Sequence, residues 1–144
     1  MDLSETLFVI ILITSTTRCL NAGPCDSPKS YANFQRRLSS NNRTSEETPL
    51  SDRFIDEGWY GQANVKLLEV DPPGVNHCGA IYPLYLKDAV YSNSSLSTAI
   101  VCAQSGDDTC LEVKQIETNY CQELNMFVYN LKRIDLSASA YCIG

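Results

Sequence analysis

The chain has 144 residues, with 17 acidic and 11 basic side chains and a formal charge of −6. That balance excludes a nucleic-acid binder, which needs a basic face against phosphate, and the length excludes paired cofactor and substrate domains. Seven cysteines are an odd number, so disulfides alone would leave one unpaired.

In chain order, the first element is a leader. Leu7 to Ile13 is an unbroken apolar run, followed by small and polar residues up to Ala22. This is the layout of a secretory signal, despite the acidic Asp2 and Glu5 where a positive charge is usual. The run is too short to span a membrane. Cleavage after Ala22 is expected, giving a signal peptide over 1–22 and a single domain over 23–144. It removes Cys19 and leaves Cys25, Cys78, Cys102, Cys110, Cys121 and Cys142. An even set suits an oxidising compartment.

Gly23 to Tyr31 reads as turns. Tyr31, Phe34 and Leu38 then fall at helical spacing and predict one or two turns of helix. Residues 39–52 form a polar loop carrying the glycosylation sequon Asn42-Arg43-Thr44; a second, Asn93-Ser94-Ser95, sits in another polar stretch. Short β-type runs follow from Gly58-Trp59-Tyr60. They continue with Asn64 to Val70, stopped by Asp71-Pro72-Pro73-Gly74, and with Tyr82 to Leu86, where Pro83 implies an edge or the opening of a strand. Thr98 to Ala103, Leu111 to Gln115 and Met126 to Leu131 alternate with period two. The predicted fold is mainly β: a small disulfide-stabilised antiparallel domain, meander or sandwich-like, with at most one short helix.

Candidate chemistry is sparse. His77, the single histidine, adjoins Cys78, but neighbours on an extended strand point to opposite faces. Zinc needs closely spaced Cys/His pairs, and there are none. Asp107-Asp108 after Gly106 reads as a tight acidic turn rather than a calcium loop. Asp56 and Glu57 have no opposing carboxylate for glycoside chemistry. Trp59 and Tyr60 read as core aromatics. With no nucleophile elbow and no phosphate loop, no enzyme, cofactor or metal is expected.

The residues also carry a likeness. Cys25, Ser51-Asp52-Arg53, Glu57-Gly58-Trp59-Tyr60 and Cys78-Gly79 with Pro83 stand in order along the chain. Cys102-Ala103, Gly106, Cys110-Leu111, Val113-Lys114, Cys121, Val128-Tyr129-Asn130-Leu131 and Ala140-Tyr141-Cys142 follow them. The pattern resembles the extracellular cysteine-rich module, with eight to ten cysteines, of uromodulin, the pancreatic zymogen-granule membrane glycoprotein and von Willebrand factor D and EGF domain proteins. Ten-cysteine members have further cysteines at the positions of Ser51 and Thr109 and near Pro72 and Ser137. The resemblance implies that these are lost as two whole disulfides. It implies the pairs Cys25–Cys121, Cys78–Cys142 and Cys102–Cys110, where spacing alone leaves 15 connectivities open.

Some relatives carry Asn-Leu-Thr on the strand here reading Asn130-Leu131, with a glycan that decoys bacterial mannose-binding adhesins. Lys132 replaces that threonine, so a decoy would have to use Asn42 or Asn93. Relatives place the module beside EGF-like or zona-pellucida-type domains, of which residues 23–144 contain none. The resemblance thus implies a secreted, glycosylated, non-catalytic module whose partner is an extracellular protein or glycan. A structural or matrix component, or part of a larger mosaic glycoprotein, is the alternative.

Overall fold

The computed structural model describes residues 23–144 apart from Ser94. The signal-peptide reading of 1–22 lies outside the described residues. Helix α1 is a single turn, Phe34–Arg37, bounded by Asn33 in the left-handed region and by an extended Leu38. A 3-10 turn covers Asp52–Phe54. Six strands follow: β1 Gly58–Gly61, β2 Tyr82–Leu86, β3 Ser97–Ser105, β4 Asp108–Cys121, β5 Met126–Leu131 and β6 Ser139–Tyr141. Among the described residues no helix is long and apolar enough to cross a membrane.

The strands make one curled sheet in the order β1-β5-β4-β3-β2-β6. Strands β2 to β5 are an antiparallel meander, as their short polar connections dictate. Gly106 and Asp107 form the two-residue turn of the β3–β4 hairpin, with Ser105 opposite Asp108. The sheet is mixed rather than wholly antiparallel, because β6 lies parallel to β2. After β5 the chain crosses the core with the buried Ile134 and reaches the far edge already running in the direction of β2.

Alternation sends Tyr60, Leu84, Leu86, Val101, Ile116, Tyr129, Leu131 and Tyr141 into one core. Tyr31 and Phe34 from the helical turn, Val65 and Leu67, and Ile134 and Ile143 cover it. No second sheet is needed. Residues 64–70, which alternate like a strand, form a strap instead: only Leu67 bridges Ile143 and Glu69 bridges Leu86. The backbone N–H of Leu67 donates to the Tyr129 hydroxyl at 3.3 Å, fixing the strap across the core.

Pro83 lies inside the sheet, between β3 and β6, yet it breaks no ladder. Leu84 O accepts from Cys142 N at 2.8 Å, so the backbone of Pro83, one residue earlier, faces β3. There the pairing starts only at Leu84 with Ala103. Trp59 departs from the core reading. It neighbours Tyr60 on a strand, so the two must face opposite ways; Tyr60 packs inside while Trp59 stands half-buried opposite Asn130 on the outer face.

Candidate functional site

Three disulfides frame the surface. Cys25–Cys121 ties the turns at the start of the domain to the end of β4, across 96 residues of sequence. Cys78–Cys142 joins the loop before β2 to the residue after β6, and both cysteines are fully buried. Cys102–Cys110 staples the β3–β4 hairpin, with Cα atoms 4.8 Å apart. Gly79, beside Cys78, has φ +69°, and a Cβ there would lie 2.9 Å from Leu50 Cδ1 and 3.0 Å from the Arg36 carbonyl. Only glycine fits this close approach.

One pair of residues gained no signal from sequence reasoning. Arg37, from α1, and Asp52, from the 3-10 turn, form a buried bidentate ion pair with Nη1–Oδ2 2.6 Å and Nη2–Oδ1 2.7 Å. They are 5% and 3% exposed. Arg37 also donates to the carbonyls of Ala32 and Tyr141. Asp52 Oδ2 accepts the Tyr141 N–H at 2.8 Å, closing the outer side of β6. The pair therefore pins three elements that have too few residues to hold themselves.

The other singled-out residues are committed to structure. His77 Nδ1 lies 2.9 Å from the Ser39 carbonyl, and its backbone bridges Asn42. Its neighbour Cys78 is in a disulfide, so no nucleophile–base pair forms. Asp56 binds Lys29 at 2.6 Å, and Glu57 accepts the Arg133 N–H at 2.9 Å. The Lys29 hydrogen bond and charge hold the Asp56 carboxyl below its usual range. The Arg133 N–H, aided by the charges of Lys132, Arg133 and Lys114, does the same for Glu57. A general acid of a glycosidase needs the opposite shift. Asp108 Oδ1 accepts the Cys110 N–H, and no cluster of three metal-ligating side chains occurs among the described residues.

Both sequon asparagines, Asn42 and Asn93, are solvent-exposed. Their settings differ. Arg43 N donates to the Asn76 carbonyl at 2.7 Å, and the Arg43 guanidinium reaches the Thr44 and Glu47 carbonyls and Asn76 Oδ1. Asn93 sits at a turn in the loop from β2 to β3. Asn130, in β5, donates to Glu117 Oε2 at 3.0 Å and faces the outer side beside Trp59.

Compared with known families, residues 59–143 match the uromodulin-like domain of the eight-cysteine class, which is more than half of the chain. No curated protein matches.

Proposed function

The chain belongs to the uromodulin-like domain family, and from that premise we propose that residues 23–144 act as a secreted, glycosylated, non-catalytic module that binds an extracellular protein or glycan. The observation that carries this reading is the cysteine set. All six cysteines of the domain are paired in three disulfides on a sheet with a core of its own. Such bonds persist in the secretory pathway and outside the cell, and are rare in reducing compartments. The leader at 1–22, which would carry Cys19 away, and the exposed Asn42 and Asn93 support the same route. The carboxylates and histidine engaged in structural bonds support a binding rather than a catalytic role. An uncovered outer face bearing Trp59 and Asn130 offers surface for a partner.

Non-reducing peptide mapping of protein secreted from eukaryotic cells tests the proposal, with glycan mass analysis on the same digest. The expected result is an N-terminus at Gly23, three linked cysteine peptides in the pairs above, and sugar on Asn42 and Asn93. Retention inside the cell, a free thiol on any of the six cysteines, or unmodified sequons would overturn it.

A further inference from the structure

The loop between β2 and β3, residues 87–96, carries two apolar side chains that the core does not use. Tyr91 is 66% exposed and Leu96 57%. Single exposed hydrophobes are ordinary, but two of them flanking one exposed asparagine form a patch with a purpose. Beside them opens a cleft of about 120 Å³, lined by Asp88, Val90 and Tyr91 on one side and by Ser97, Thr98 and Ile100 on the other.

We infer that Tyr91 and Leu96 seat the innermost N-acetylglucosamine of a glycan on Asn93, so that this sugar packs onto the domain instead of extending into water. The inference rests on the proposed glycosylation. The link forms when Asn93 Nδ2 attacks the anomeric carbon of a lipid-pyrophosphate-linked oligosaccharide; the amide loses one proton and the lipid pyrophosphate leaves.

Chain geometry places Tyr91, two residues before Asn93, no more than about 7 Å away along the backbone. That is within reach of an asparagine side chain bearing one pyranose. A pyranose has an apolar face of C–H bonds whose weakly positive hydrogens suit the negative face of a phenol ring. Leu96, three residues after Asn93, would shield the sugar's far edge. The Asp88 carboxylate and Thr98 hydroxyl supply polar partners for the sugar's hydroxyl and N-acetyl groups. Asn42 is the internal contrast. The residue two before it is Ser40, which offers no ring, and its own backbone is bridged to His77.

The test uses the full chain secreted from cells that keep glycans in the high-mannose form, trimmed enzymatically to a single N-acetylglucosamine per site. Trimmed wild type is compared with Asn93→Gln, and the same pair is measured in a Tyr91→Ser background. Tyr91 lies outside the core, so both backgrounds fold. The sugar on Asn93 is expected to raise Tm by about 3 °C in wild type, and by less than half of that in Tyr91→Ser. The N-acetyl methyl proton resonance of that sugar should be shifted upfield by the phenol ring, and should return to its free value when Tyr91 is replaced. An equal Tm increment in both backgrounds with an unshifted resonance would overturn the seat and leave glycosylation standing; the patch would then serve another partner. Absence of a sugar mass on Asn93 would overturn both readings. Loss of the Asn42 sugar through Asn42→Gln is expected to leave Tm within error; a matching 3 °C loss there would show a generic glycan effect and overturn the assignment to Tyr91.

Discussion

At the scale of single residues, the Arg37–Asp52 pair sets the sharpest expectation. Two charges removed from water are held by hydrogen bonds that leave little of either uncompensated. Asp52→Asn keeps the shape but strands a buried guanidinium without its counter-ion. The expected loss is about 3–5 kcal/mol, read as a drop in the urea midpoint. Replacing both residues together, Arg37→Met with Asp52→Leu, removes the stranded charge and should recover part of that loss. Recovery stays incomplete because the Tyr141 N–H loses its acceptor, at roughly 1–3 kcal/mol. A midpoint unchanged in Asp52→Asn would show that the pair is not holding the fold. By contrast Asp56→Asn, at an ion pair open to water, should leave the midpoint within error. Sequence reasoning singled out Asp52 within a motif and missed Arg37. The partners are 15 residues apart, on a one-turn helix and a 3-10 turn, and no periodicity marks a contact of that kind.

At the scale of elements, loop length and burial rank the three disulfides differently. Chain entropy gives about 4.7 kcal/mol for the 96-residue separation of Cys25–Cys121, about 4.3 for the 64 of Cys78–Cys142 and about 2.5 for the 8 of Cys102–Cys110. The first two differ by less than half a kilocalorie. Burial then decides, since Cys78 and Cys142 are both at 0% exposure and their loss leaves a cavity, whereas Cys25 is only half-buried. Alanine pairs are therefore expected to destabilise in the order Cys78/Cys142, Cys25/Cys121, Cys102/Cys110, measured by urea midpoints under non-reducing conditions. Finding Cys25/Cys121 the most damaging would mean that loop entropy alone governs. The elements themselves were unevenly legible. Alternation marked β3, β4 and β5 because each buries one face. It also marked 64–70, which is extended with one face buried but has partners only at isolated bridges. β6 has three residues, too few for a pattern. Trp59 was misread because Trp59 and Tyr60 were treated as a unit, although period two places only one of them in the core. The disulfide pairing came from family likeness, which spacing could not replace.

At the scale of the whole molecule, residues 23–57 contain no strand yet seal both rims of the sheet. Lys29 exchanges backbone hydrogen bonds with Trp59 and Gly61 along β1, while Asp52, Arg37 and Ser39 close the outer side from Tyr141 to Ile143. Neither rim is free to add another chain's strand, so a partner must meet side chains on the faces and loops. What those segments enclose is a core with three buried tyrosines: Tyr31, Tyr129 and Tyr141 are 6%, 0% and 1% exposed. Burial pushes all three phenols well above their usual range, an effect only partly relieved by Arg37 near Tyr31 and by backbone hydrogen bonds at Tyr129 and Tyr141. The sign of the pH effect follows. Unfolded phenols lose their protons near pH 10, whereas the folded state keeps them, so above that pH the unfolded chain binds fewer protons and stability falls. Three phenols released together lower stability by about 4 kcal/mol per pH unit. A domain of ordinary stability, about 5–10 kcal/mol, is then exhausted between about pH 11 and 13. Phenolate absorbance and circular dichroism should change together in one cooperative alkaline transition, after an earlier smooth ionisation of exposed tyrosines such as Tyr91. Tyr31→Phe sharpens the test, because the Tyr31 hydroxyl is buried without a hydrogen-bond partner. Its removal should cost nothing at neutral pH, make the alkaline loss shallower by about one third, and move the transition upward. Smooth ionisation of every tyrosine near pH 10 with unchanged circular dichroism would contradict the buried tyrosine core.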